Sequence, residues 1–430
     1  MTAARGTQIL TAALLAAAPA AHGAALDAPT FYGDVLPILQ HKCQDCHRPV
    51  GSNFGGMVAP MSLMTYDETR PWAKAISREV SRGEMPPWDA DRKFNGVFAN
   101  ERTLSEEQTA TLVRWVETGA PAGDPASAPP ARVFESTDGW IQGEPDLVLT
   151  IPVAYEVGDD VSDVYTAFPV DLTPEMLPDD VYIRGFQCKP GTPIIHHFNA
   201  NLLPPDENGE LAPPPTRIES DAIAPENSGR YLGGVASGAG ANWYPEGYAV
   251  KIPKGSRITF DIHYTKDKGP GTRVVDSTSQ VGFYFSKEPP KHVVSILNAA
   301  LFNIDLPPGR AEYRLGPASI EVPQDSEILA LTPHMHTRGK GAKFVAFYPD
   351  GTTEVLLEVP TYDFAWQTAY YYDQLKQIPA GTRLEFTAWY DNSPDYAAAR
   401  GFDPAEHVRF GRWSSDEMMM GFVLLAPTGD

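Results

Sequence analysis

Only three cysteines occur in 430 residues. Cys43 and Cys46 share one short motif, so once they are engaged Cys188 stands alone and no internal disulfide framework is available. Stability must then come from core size and bound groups, and Cys188 is expected to be a small buried side chain. Beyond the N terminus there is no run of about 20 apolar residues, so no integral membrane segment is expected. Basic residues are scarce: 34 Lys and Arg against 55 Asp and Glu leave a formal charge of −21. That balance disfavours nucleic acid and anionic membranes. Apolar residues make up 42%, which excludes a disordered chain. The length calls for two or three domains.

The organisation changes along the chain. Arg5, the apolar stretch Ile9 to Ala18 and small residues from Ala20 to Ala25 read as a signal peptide over residues 1–24, so the mature protein is expected in the periplasm. Residues 25–122 read as helical. Phe31 to Gln40 is apolar-periodic, Ser105 and Gln108 form a capping box, Leu112, Trp115 and Val116 share a helical face, and Gly119 ends it. Residues 123–144 are a linker rich in proline and alanine. From 145 onward short β-branched and apolar runs alternate with proline, glycine and aspartate, and Asp350-Gly351 is a hairpin turn. Forty-one prolines and many short strands predict two β-sandwiches, 145–289 and 290–430, parted at Pro289-Pro290.

Two motifs promise chemistry. Cys43-Gln44-Asp45-Cys46-His47 is the attachment signature of c-type haem: both thiols reach the porphyrin from one turn and His47 ligates iron. A zinc site would need a second ligand pair, and a redox dithiol would need a βαβ setting. The helical N-terminal region is therefore expected to be an all-α cytochrome c domain with one covalent haem. Met57, Met61, Met64 and Met85 are candidates for the sixth iron ligand. Met85 is preferred because Pro86-Pro87 make its loop rigid and remove backbone donors.

The second motif is a set of dispersed ligands. His334 and His336 alternate, so on a strand they face one way. His196 and His197 are adjacent and reach one metal only if the backbone bulges. His263 is mid-strand and Met418 lies in the apolar last strand. Singly, each is more commonly a structural residue. As a set of imidazoles and a thioether with few carboxylates, they favour copper over hard cations. His41, His292 and His407 take no assigned role.

The second half resembles the copper type II, ascorbate-dependent monooxygenases, the family of peptidylglycine α-hydroxylating monooxygenase and dopamine β-monooxygenase. The His-His pair at 196–197, the His263-Tyr264 strand, the His334-Met335-His336 pair and Asp416-Glu417-Met418 follow that family's order. Ala59 to Leu63, Met85 to Trp88, Arg338 to Lys340 and Tyr348 to Gly351 extend the likeness to bacterial proteins that join a cytochrome c domain to such a module. The resemblance implies an all-α cytochrome c domain followed by two all-β jelly-roll-like sandwich domains. It also implies two coppers. One, at His196, His197 and His263, transfers electrons. The other, at His334, His336 and Met418, activates O2 to hydroxylate an unactivated C–H bond of a small organic substrate.

Where the peptide-amidating relatives use an arginine and a tyrosine, this chain has Thr332 and Phe422, which argues against peptide amidation. The expected activity is thus copper-dependent monooxygenation, with the haem relaying electrons from a periplasmic donor. The alternative is a non-catalytic haem and copper protein for electron transfer or copper binding.

Overall fold

A computed structural model describes residues 28–48, 59, 61–134, 139–140, 142–214, 229–236 and 242–429. The expected signal peptide and Met57 lie outside the described residues.

Strands dominate. Between 145 and 289, a four-stranded antiparallel sheet runs in the order Asp163–Asp171, Arg257–Thr265, Ile195–Leu203, Arg230–Ala236. Its apolar residues meet those of a second sheet built around Val181–Lys189 and Gln280–Phe285. Phe168, Phe198 and Phe260 from the first sheet pack with Ile183, Phe186 and Phe283 from the second, and Cys188 is buried among them. The two-residue period of a strand decides what the first sheet's other face carries. In Arg257–Thr265, Ile258, Phe260, Ile262 and Tyr264 enter the core, so Asp261 and His263 turn away from it. In Ile195–Leu203, Phe198, Ala200 and Leu202 enter the core, so His197, Asn199 and Asn201 turn away with them.

Beyond the short pairs Tyr155–Val157 with Val274–Asp276 and Asp305–Leu306 with Val408–Arg409, the chain adds two more four-stranded sheets. One runs Ser295–Ala300, Met420–Pro427, Ser326–His334, Tyr370–Ile378. The other runs Tyr313–Glu321, Arg383–Tyr390, Gly339–Phe347, Thr353–Val359. The last two of these strands are joined through Asp350-Gly351, with Gly351 at φ 87°, where a side chain would be strained. Met420–Pro427 is apolar on both faces for a reason. Val423 and Leu425 enter the core of this half, while Leu424 and Ala426 pack on the core of the first.

The expected fold class, an all-α cytochrome c domain ahead of two all-β jelly-roll-like sandwiches, is not what the chain adopts. The protein is mostly β, and among the described residues no all-α domain of cytochrome size precedes the strands. The helices there are short: Leu36–Lys42, Tyr66–Thr69, Ala73–Arg82 and Glu106–Glu117, the longest with 12 residues. The last is capped by Ser105 and Gln108 as its sequence predicts. These helices share a small core of Phe31, Leu39, Ile76, Val80, Leu112 and Trp115.

The segment between the last two helices belongs elsewhere. Pro86-Pro87 withhold two backbone donors from any helix there. Ala90, Phe94 and Phe98 instead enter the core of the second half, and Phe98 bridges to Tyr372 with ring centroids 5.1 Å apart. Ala99 N–H donates to Tyr371 O at 2.8 Å and Asp373 N–H to Val97 O at 3.0 Å. Among the described residues no helix is long and apolar enough to cross a membrane.

Phe98 is the buried pin of this attachment. Phe98→Ala is expected to destabilise the protein by about 3–5 kcal/mol in urea unfolding. A loss below about 1 kcal/mol would mean that the segment is only laid on the surface.

Candidate metal centre

The first histidine cluster depends on a register shift. Ile195 pairs with Tyr264, but His197, two residues on, pairs with His263, so His196 is the extra residue of a bulge. The bulge is what lets adjacent histidines serve one point. His196, His197 and His263 each place a ring nitrogen within 4.8 Å of the other two.

The hydrogen bonds select which nitrogen. His263 Nε2 is 2.9 Å from Asp163 Oδ1, which leaves its buried Nδ1 with no partner. His196 Nδ1 and His197 Nδ1 lie 3.5 Å apart. A buried, orphaned imidazole nitrogen facing two others is a donor set that fits a metal ion, with Asp163 as the carboxylate that orients one ligand.

Burial, then the neighbouring His263, lowers the His196 pKa to about 4. The same causes drive His197 well below its ordinary value. Both rings are therefore neutral at pH 7, the state that binds metal. Burial works against the Asp163 carboxylate, but hydrogen bonds from His263 and the Ser414 hydroxyl outweigh it and hold its pKa below the usual range. Tyr165 stacks on His263 at 3.8 Å and 9°, and Trp413 meets Tyr165 edge-on at 5.8 Å.

The second cluster uses the opposite nitrogens. His334 ends the strand Ser326–His334, and His336 lies beyond it rather than on it. A buried carboxylate replaces the strand partner there. Glu417 Oε2 accepts from His336 N–H at 2.8 Å, and Oε1 accepts from Arg338 N–H at 2.7 Å. Glu417 Oε2 also accepts from Met418 N–H at 3.2 Å. Burial raises the Glu417 pKa to about 8 against these backbone donors.

His334 Nδ1 pairs with Gln367 Oε1 at 2.7 Å, and His336 Nδ1 donates to Asp416 O at 3.2 Å. Each ring so held has Nε2 left for a ligand role. Met418 falls just before the last strand, not within it, and its carbonyl accepts from Tyr390 Oη at 2.6 Å. Arg338 is fully buried and donates to Ser415 O at 2.7 Å, bracing the loop that carries Met418. His334, His336 and Met418 line one cavity of about 1170 Å3, and His197 lines it from the other half.

Around the Cys43 motif, Cys46 N–H and His47 N–H both reach Cys43 O, so the motif closes one turn after Leu36–Lys42. Burial pushes the Cys43 thiol up to about 12 and raises that of Cys46. His47 Nδ1 donates to Met61 O at 3.2 Å, leaving Nε2 for a ligand role. Arg48 is buried, with Nε lacking a partner. Two thiols, an oriented imidazole and a buried cation are the groups that would hold a haem with acidic side chains. Met85 is 41% exposed, whereas Met61 packs against the same small core as Cys43.

Sequence reasoning missed Asp163, Gln367, Phe364 and Tyr165. None has a local pattern, because each is defined by a partner distant in the chain. His407 pairs with Asp305 at the surface.

No family model and no curated protein matches the chain. Among solved structures it is similar to infectious bursal disease virus, Gt strain (14% identity over 66% of this chain and 73% of that one, TM-score 0.18). It is also similar to the major capsid protein P2 of bacteriophage PM2 (14%, 65% and 98%, 0.23). A third is a Paenibacillus xanthan lyase (10%, 72% and 28%, 0.17). Likeness at this level says nothing of fold or function.

The pH dependence of the metal-free protein follows from His196. Its unfolded pKa is near 6.5 and its folded pKa is about 4, so below pH 6.5 the unfolded chain binds more protons. Stability should therefore hold above pH 6.5 and fall as pH drops toward 4. Urea melts of His196→Asn should show a shallower fall. An equal slope in both proteins would contradict the buried neutral imidazole.

Proposed function

We propose that this chain is a copper-dependent monooxygenase that hydroxylates an unactivated C–H bond of a small organic substrate with O2. In this reading its electrons pass through a covalently held c-type haem. The observation that supports it best is the pair of unlike clusters beside one cavity: Nδ1 donors at His196, His197 and His263, and Nε2 donors with a thioether at His334, His336 and Met418.

Copper at the second cluster would supply O2 activation, copper at the first would supply the second electron, and haem on Cys43, Cys46 and His47 would deliver both. The chain's own groups prepare that chemistry. Asp163, Gln367 and the Asp416 carbonyl fix the imidazole tautomers. Glu417 holds the backbone of His336 and Met418 together. One oxygen atom enters product and the other leaves as water, consuming two electrons and two protons.

The cavity bears on the substrate. Thr332 and Phe422 are cross-strand partners lining it, and Tyr231 packs on Phe422 with ring centroids 4.7 Å apart and planes tilted by 34°. Without an arginine at 332 there is no cation at that point to grip a carboxylate. An aromatic wall favours a substrate with an apolar body. The reading places the protein in the periplasm, reduced by a cytochrome or small reductant there.

Metal analysis and EPR on periplasmically expressed protein test it. Two coppers and one low-spin haem are expected in the wild type. His334→Ala and Met418→Ala should each perturb one copper, leave the other, and abolish substrate-dependent oxygen uptake. Haem without copper, or copper indifferent to both substitutions, would sink the monooxygenase. Intact copper sites with no oxygen uptake across a substrate screen would favour an electron-transfer or copper-binding protein.

A further inference from the structure

The cavity beside the histidines lies between the two halves, and the end away from the histidines has a chemistry of its own. The strand Ser326–His334 serves as a ruler. Phe422 faces Thr332, two residues from His334, and Tyr371 faces Ala330, four residues from it. At about 3.3 Å per residue, those steps stand roughly 7 and 13 Å from His334 along the strand. A side pocket of about 30 Å3 is found there, and Tyr231, Tyr244, Tyr371 and Phe422 line both it and the main cavity. That is room for a group the size of a carbonyl or a hydroxyl.

One donor at this end is unspent. Tyr371 Oη donates to Asn242 Oδ1 at 3.4 Å, and Asn242 Nδ2 donates to Gly234 O at 3.2 Å. Tyr244 is only 4% exposed, and its Oη is buried with no hydrogen-bond partner. Burial holds the Tyr244 pKa above its ordinary value, so the hydroxyl keeps its proton. A buried donor left unpaired is costly, and an acceptor brought by a ligand removes that cost.

The charge of the wall decides what kind of acceptor. Asp261, Arg102, Arg230 and Arg412 line the main cavity, but among the described residues no charged side chain lines the side pocket. An ionised group beside Tyr244 would lose its water and find no counter-charge. A neutral oxygen pays no such cost.

We propose that the substrate is an uncharged molecule with an apolar, ring-bearing body, and that the Tyr244 hydroxyl holds its carbonyl, ether or hydroxyl oxygen roughly 10 Å from the carbon to be hydroxylated. This deepens the monooxygenase reading above and rests on it. Tyr231 and Phe422 wall the body, and the opposite end of the molecule is left toward His334, His336 and Met418. Tyr244 is then a specificity-determining residue far from the metal ligands.

The test uses the full chain as expressed in the periplasm, without O2 or reductant. It is titrated calorimetrically with four para-substituted biphenyls of similar size, bearing acetyl, ethyl, carboxylate or aminomethyl groups. Wild type should bind the acetyl compound about tenfold more tightly than the ethyl compound. It should favour the acetyl compound over the carboxylate and the aminomethyl compound by about a hundredfold. Tyr244→Phe should bind the acetyl and ethyl compounds equally, with its affinity for the ethyl compound and its copper content unchanged.

A charged compound that binds as tightly as the ketone, an acetyl preference that survives in Tyr244→Phe, or no binding of any compound would each overturn this substrate class. Intact copper sites in those samples would leave the monooxygenase reading standing. The predicted preferences in a protein that holds no copper would sink the monooxygenase and keep the binding site. If Tyr244→Phe does not fold, the wild-type ranking of the four compounds decides.

Discussion

The Asp163 carboxylate is the interaction on which the rest of the site depends. One oxygen accepts from His263 Nε2, and the other accepts from the Ser414 hydroxyl of the opposite half. The first bond sets the His263 tautomer and turns Nδ1 toward His196 and His197. The second fastens the loop 413–418, whose next residues supply the carbonyl, carboxylate and thioether that organise the other cluster. One side chain therefore fixes an angle in one cluster and a position in the other. Thr337 Oγ1 donating to Ser414 O closes the same link from the side of the histidine pair.

The electrostatics follow from this arrangement. The chain carries −21 overall, yet few carboxylates face the histidines, and those that do are engaged by hydrogen bonds. Burial keeps His196, His197, His334 and His336 below their ordinary pKa, so neutral imidazoles face one another without repulsion. A site of neutral nitrogen and sulfur donors selects by ligand softness rather than by charge. A hard cation would gain nothing here that the acidic surface does not offer more cheaply.

Much of the candidate site was legible in the sequence because it is written in residue types with local spacing. The adjacent histidines announce a bulge, and the two-residue period tells which side of a strand leaves the core, whereas the shared strand face expected of the His-Xaa-His pair does not hold because His336 lies beyond the strand. The partners that orient those rings were not legible. Asp163 is 100 residues from His263, and Gln367 is 33 from His334, and no local pattern joins such pairs.

The expectation of an all-α N-terminal domain failed for a related reason. Periodicity at Phe31 to Gln40 and the capping box at Ser105 are local signals, and helices stand at both places. The aromatic residues between them gave no sign that their partners, Tyr370 and Tyr372, lie in a strand near the other end of the chain.

That interweaving decides how the N-terminal region is held against the rest of the chain. A region on a flexible tether would sample many positions. Here Trp88, Phe94 and Phe98 are built into the β core of the second half, and Asn100 donates to Ala369 O and accepts from Tyr371 N–H. Pulling the segment 88–98 off the second half would require extracting those rings, at a cost of several kcal/mol for each large aromatic. The attachment of the N-terminal region to the second half is therefore part of the folded core, not a tether between separate bodies.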